Sequence, residues 1–366
     1  MADLLTRFAT VSFVIESLIQ STAGFGVHVI VAEDQSLPAA ARFVTYQTTD
    51  AVDAAEGLSE LTSAAANAAR AALTARPTAG AVTVINQDVS GSAESAEDAL
   101  DAAEAAGLQF YWITLVSADA ADIVSAVTYA TSNEKMVIAR SADADWKTAG
   151  APSGFSSVVS STRLVVIFDD TSSAVYPDMQ FAQVQAATDL DLQSGDGSVK
   201  LTLGTMPDEQ TDTDAATIYA NNANPVYGIN GSAAGNAYIR SAVVIQGADT
   251  GGAASASEQM YVQVTADWLK AGILQKIGQL LDRYTAANRK FPLNDDGVEL
   301  FLGEARDQSQ TGVDAGHLTP SDSLPLGYSW SGSINVSSKT ITLTGSLNIL
   351  DTVVALTITG YLGRYT

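Results

Sequence analysis

The sequence predicts an α/β protein (α+β overall): an N-terminal three-layer αβ domain with a mostly parallel sheet, a second αβ domain with a long helix, and a β-rich C-terminal tail. Three patterns lead there. From Gly24 to about Asp170, short β-branched or aromatic runs alternate with alanine-rich stretches of helical spacing. Residues 258–290 form one long amphipathic segment, and from 331 onward apolar residues recur at every second position. That two-residue rhythm also marks both ends of the chain, at Val11, Phe13 and Ile15 and at Val354, Leu356 and Ile358. Chain ends are ordinarily polar and frayed, and an apolar edge strand is an open template for another chain. These ends are therefore expected to complete a sheet, either the protein's own or that of a neighbouring copy.

Taken in order, residues 1–20 are expected to hold a terminal strand, and residues 21–180 the first αβ domain. Its strands are GFGVHVIVAE, AVTVINQ, FYWITLVS, KMVIARS and RLVVIFDD, with helices at 59–75, 94–107 and 119–132 between them. The second of these helices opens on carboxylates and closes at Gly107, which suits the helix dipole and a glycine C-cap. Strands alternating with helices in this way give a parallel sheet covered on both faces. Residues 181–330 are expected to form the second domain. A helix at 178–190 leads into it, followed by a turn at 194–198, the strand VKLTLGTM, a turn and strand at Asn224-Pro225-VYGING, and a glycine-broken segment carrying one strand. Its long helix spans 258–290, where Leu269, Ile273, Ile277, Leu280 and Tyr284 fall on one face. Pro292 is expected to stop that helix. A shorter helix at 295–310 and a proline-bearing connector at 318–330 follow. Residues 331–366 read as all β, ending in the terminal strand.

Composition excludes several kinds of chemistry. At 366 residues the chain is long enough for two or three units with their own cores. It has no cysteine, so disulfides, thiolate metal sites and cysteine nucleophiles are ruled out. His28 and His317 stand far apart without paired-ligand spacing, which argues against imidazole metal catalysis. A net charge of −23 argues against nucleic acid, whose phosphates require clustered Lys and Arg. The charge fits salt adaptation or high copy number as well as any specific role. Residues 1–20 hold one basic residue, Arg7, and no long apolar core, so no secretory leader is expected; no run approaches the roughly 18 apolar residues of a membrane span.

No catalytic, cofactor-binding or metal-binding set emerges. Gly24-Phe25-Gly26 lacks the rest of a dinucleotide fingerprint and serves better as a turn into a strand. Asp189, Asp191 and Asp196 lack the glycine and closing glutamate of a calcium loop, where Ser194 and Lys200 stand instead. Asp169-Asp170 ends a strand, where α/β sheets place functional carboxylates, although a solvated turn explains it equally well. No nucleophile elbow occurs. The long helix carries the one unexpected charge feature: Lys276, Arg283 and Lys290 step by seven, within a thirty-residue stretch of net charge +3. They form either an ordinary solvated face or a surface for an acidic partner.

The order of features resembles the tail sheath proteins of contractile bacteriophages, in particular a short phage sheath type. The resemblance rests on FGVHVIVAED, 40-AARFVTYQTTDAVDA-54, residues 109–141, ADWLKAGILQKIGQLL, FPLNDDGVELF and 344-TGSLNILDTVVALTITGYL-362. It implies a structural, non-enzymatic subunit without cofactors, polymerising as stacked homo-hexameric rings around a tail tube. Baseplate and tail terminator proteins would be its other partners. It also implies a place in the virion's contractile tail after assembly in the host cytoplasm, with neither nucleic-acid binding nor membrane insertion. Residues 21–180 would be the peripheral domain and 181–330 the sheath core. Val11, Phe13 and Ile15 at one end, and Val354, Leu356 and Ile358 at the other, would lie on arm strands exchanged between subunits. Lys276, Arg283 and Lys290 would face the tube. The alternatives are a structural relative, such as a sheath from a contractile injection particle or another tail protein that polymerises, and a soluble enzyme or ligand-binding protein with a doubly wound αβ domain.

Overall fold

In the computed structural model the described residues are 22–37, 41–91, 93–148, 150, 152–158, 161–170, 176–192, 199–201, 211–225, 227–228, 237–239, 260–335, 337, 340–349 and 352–361. The chain divides into two compact units. One comprises Ala23–Asp189 and Gly195–Gln263, the other Leu190–Ser194 and Val264–Thr366.

The first unit begins with a short 3-10 turn at Thr22–Gly26, which delivers the chain into β1 (His28–Glu33), the use expected of the two glycines. There follow β2 (Phe43–Tyr46), α1 (Thr49–Gly57), α2 (Ser63–Thr74), β3 (Val82–Gln87), α3 (Ala96–Ala105), β4 (Trp112–Leu115), α4 (Ala120–Asn133), β5 (Met136–Ser141) and β6 (Leu164–Phe168). Then come α5 (Pro177–Ala186), β7 (Val199–Leu201), α6 (Asp212–Ala220), β8 (Ala223–Pro225), β9 (Tyr227–Gly228) and β10 (Ala237–Ile239). Seven strands form one sheet in the order β2-β3-β1-β4-β5-β6-β8, parallel throughout except for β2, which runs antiparallel to β3. A small antiparallel sheet, β7-β10-β9, accompanies it.

Alternate residues of the central strands serve opposite faces. Val29 and Val31 of β1 pack with Ala99, Leu100 and Ala103 of α3 and Ile123, Ala126 and Val127 of α4. Ile30 and Ala32 pack with Val52 of α1, the alanine row of α2 and Met179 of α5. These are the three layers predicted from the sequence, and alanine lets the helices approach the sheet closely. Local signals set the helix ends. Ser95 and Asp98 form a reciprocal capping box at α3, Thr62 and Asp119 cap α2 and α4, and Gly107 follows α3 at φ 94°. Two helices were not expected from the sequence, α1 and α6. Each is nine residues long, too short for a periodic apolar stripe to stand out.

The second unit contains most of α7 (Met260–Ala286), then α8 (Asp295–Asp314) and the antiparallel sheet β11 (Tyr328–Asn335), β12 (Thr340–Ile349) and β13 (Thr352–Tyr361), in the order β11-β12-β13. The α7 face predicted from spacing is the one that packs. Ile273 and Leu280 are buried with Val298, Phe301, Leu302 and Ala305 of α8, Ile341 and Leu343 of β12 and Ile358 of β13, and Ile277 and Tyr284 lie against them. The end of α7 differs from expectation. Asn288 adopts φ 51° and Arg289 N–H returns to the Tyr284 carbonyl, closing the helix before Pro292 is reached. Helix α8 is capped by the Asn294 side chain, which accepts from Gly297 N–H. A Cβ at Gly297 would stand 2.0 Å from the Pro292 carbonyl oxygen, so this close turn requires glycine.

Candidate assembly site

Over most of its length β12 of the C-terminal sheet alternates between buried and more exposed residues, until Asn348 is buried with its neighbours near the end of the strand. On β12, Ile341, Leu343, Leu347 and Ile349 are buried, while Thr344 is exposed between them. Gly345 interrupts the apolar row because Trp330, its partner on β11, lies over it: a Cβ there would sit 2.7 Å from the indole ring. The indole Nε1 donates to Ser309 Oγ of α8 at 2.8 Å, fixing the ring between helix and sheet. Strand β11 starts at Tyr328, inside the stretch expected to be a connector. The signal was legible as the alternation of Tyr328, Trp330, Gly332 and Ile334.

The residues expected on a C-terminal arm lie on β13. Val354 pairs with Leu347, Leu356 with Gly345 and Ile358 with Leu343, so this strand lies against the chain's own β12 over ten residue pairs. Ile358 is buried. Val11, Phe13 and Ile15 lie outside the described residues. Within this sheet β12 is the neighbour of both β11 and β13, which leaves each outer strand one edge without a strand partner among the described residues. Neither outer strand contains a charged residue or proline, the usual protections of a free edge.

The three basic residues are not equivalent. Lys276, a quarter exposed, pairs with Asp307 of α8. Arg283, two-thirds exposed, pairs with Glu304 of α8 at 2.8 Å. Lys290 lies four residues beyond the end of α7 and is exposed. The stripe drawn from seven-residue spacing is therefore two helical residues tied to α8 carboxylates and one loop residue. Sequence reading missed Glu304 and Asp307 as partners, because partnership across two helices depends on how they are rotated against each other.

The other polar candidates have structural surroundings. Asp170 pairs with Lys147 at 2.8 Å, and Asp169 is buried at the end of β6. Asp191 accepts from the Trp268 indole N–H at 3.2 Å, and Asp196 lies outside the described residues. His317 is buried, its Nε2 donating to the Leu190 carbonyl at 2.6 Å and its ring 4.9 Å from Trp268; burial pushes its pKa down. His28 lies on β1, where Nδ1 donates to Gln183 Oε1 at 2.9 Å and Nε2 is 2.8 Å from Thr114 Oγ1. Burial lowers its pKa to about 4. Among the described residues no group of three His, Cys, Asp or Glu side chains is arranged to hold a metal ion, and no helix is long and apolar enough to cross a membrane.

No family model matches the chain, and no curated protein matches it either. A solved structure does: the sheath tail protein Lin1278 of Listeria innocua superposes with a TM-score of 0.65 at 12% identity, over 93% of this chain and 98% of that one. The chain thus has a sheath-like fold along nearly its whole length.

Proposed function

We propose that this protein is the structural subunit of a contractile phage tail sheath. The observation that carries the reading is the fold held in common with a sheath tail protein over almost the full length of both chains. The uncharged sheet β11-β13, whose outer edges have no strand partner among the described residues, supports it, because such edges favour strand addition between chains. In this reading the subunits stack as hexameric rings around a tail tube. Residues 1–20, with Val11, Phe13 and Ile15, supply an arm strand to a neighbour's sheet, and the β13 segment with Val354, Leu356 and Ile358 takes part in the same lattice. A heterologous contact of this kind repeats into an open helical array. In this reading the unit of the seven-stranded sheet, which holds nearly all of residues 21–180 and also takes in α6 and β8, is the peripheral domain, and the unit of most of α7, α8 and the C-terminal segment 331–366 is the core.

The mechanism is mechanical. An extended, metastable lattice is triggered at the baseplate and shortens, driving the tube through the host envelope, while the exchanged strands keep the subunits connected. Lys276, Arg283 and Lys290 face the tube in this reading. The work is the sum of small releases from many copies, so the subunit needs no nucleotide, cofactor or catalytic group.

Negative-stain electron microscopy of the purified chain at high concentration tests the proposal. Hollow striated tubes are the expected result. Uniform small particles at every concentration would overturn it.

A further inference from the structure

The two faces of the C-terminal sheet differ in kind. The inner face is apolar and packs on α7 and α8. On the outer face the register sets hydroxyl residues side by side across β11 and β12, Ser331 beside Thr344 and Ser333 beside Thr342, and the backbone pairing continues from Thr344 and Thr342 to positions 357 and 359 of β13. Ser331, Ser333 and Thr344 are exposed. No residue of β11, β12 or β13 is charged, in a chain where 16% are. Between Asp322 and Arg364 the only charges are Lys339 and Asp351, and both fall between strands.

We propose that this hydroxyl face is a contact surface for a second copy of the chain. Each copy carries a net charge of −23, so two copies meet at least cost where no carboxylate has to be desolvated or brought near another. Loss of charge is also what distinguishes the core of a protein interface from ordinary surface. A basic partner would find nothing here to pair with, whereas hydroxyls both donate and accept and so complement a surface like themselves. At about 3.3 Å per residue and about 4.8 Å between strands, the face covers roughly 400 Å². That is about half of one partner's share in a standard interface, so it serves as one contact among several in a multi-copy assembly. The inference deepens the self-assembly reading and rests on it for its occupant. It differs from arm exchange, which uses the edges of this sheet and not its face.

The chain has no cysteine, so a single Ser331→Cys substitution introduces the only thiol. Maleimide labelling is compared between dilute subunits and pelleted assemblies, with Ala121→Cys on the exposed side of α4 as a reference. Labelling at position 331 should be at least tenfold slower in the assembly, relative to the reference. The pair Ser329→Glu and Thr342→Glu should raise the concentration needed for assembly at least tenfold, with an unchanged melting curve. Tubes that form at the wild-type concentration and label at the dilute rate would overturn the face contact while leaving the sheath reading intact. If the wild type forms only small oligomers and the glutamate pair dissolves them, the face contact stands and the sheath reading falls. A chain that is monomeric at every concentration overturns both.

Discussion

His28 and Asp178 are both buried in the seven-stranded unit, and they push its stability in opposite directions with pH. Burial lowers His28 to about 4 from 6.5, with the Gln183 hydrogen bond opposing in part. As pH falls from about 6.5 to about 4, the unfolded chain takes up a proton that the folded chain refuses, so stability drops by roughly 3 kcal/mol. Burial raises Asp178 to about 6 from 3.8, with Arg140 pulling it down and Asp169 pushing it up. Here the unfolded chain releases a proton above about 3.8 while the folded chain keeps it to about 6, so stability rises by a similar amount over the same descent in pH. Relative to wild type, His28→Gln should gain stability between pH 6.5 and 4, and Asp178→Asn should lose it, as read by urea unfolding across that range. At pH 7 Asp178→Asn should be the more stable protein by about 1–3 kcal/mol. Parallel pH profiles for both variants and wild type would reject these roles. Gly345 offers a steric test: Gly345→Val must displace the Trp330 ring and should cost about 1–3 kcal/mol, whereas pairing it with Trp330→Ala should remove most of that clash.

At the scale of elements, the pairing of α7 with α8 decides what the basic residues can do. Exposed pairs such as Arg283 with Glu304 contribute about 0–1 kcal/mol, so Lys276→Glu with Arg283→Glu should scarcely change the melting temperature. On the tube-facing reading the same pair of substitutions should weaken attachment to tubes in a salt-dependent way while self-assembly persists. Adding Asp307→Lys and Glu304→Arg restores the helix-to-helix pairing with reversed sign. Recovery of tube attachment in this quadruple variant, by co-sedimentation, would assign the basic residues to α8 alone; continued loss is the expected outcome. Spacing found the buried face of α7, because a 3.6-residue period is a local property of the sequence. It did not find the helix end, because Asn288 accepts a left-handed conformation that closes the helix before the proline.

At the scale of the molecule, the two chain ends call for different truncations. Deleting residues 1–16 removes the expected arm and should leave a folded protein that no longer forms tubes; normal tubes by electron microscopy would reject the arm assignment. Deleting residues 350–366 removes β13 and the buried Ile358, so it should also destabilise the C-terminal unit and is the less selective test. The alternating strand and helix order, the alanine-rich layers, the amphipathic face of α7 and the β character of the tail were all legible in the sequence, because periodicity and capping act over a few residues. The strand order of the large sheet, the return of β13 onto β12, the seating of Trp330 over Gly345 and the capture of Lys276 and Arg283 by α8 were decided only in three dimensions. Each depends on which distant segments the buried area brings together, and no local pattern encodes that choice.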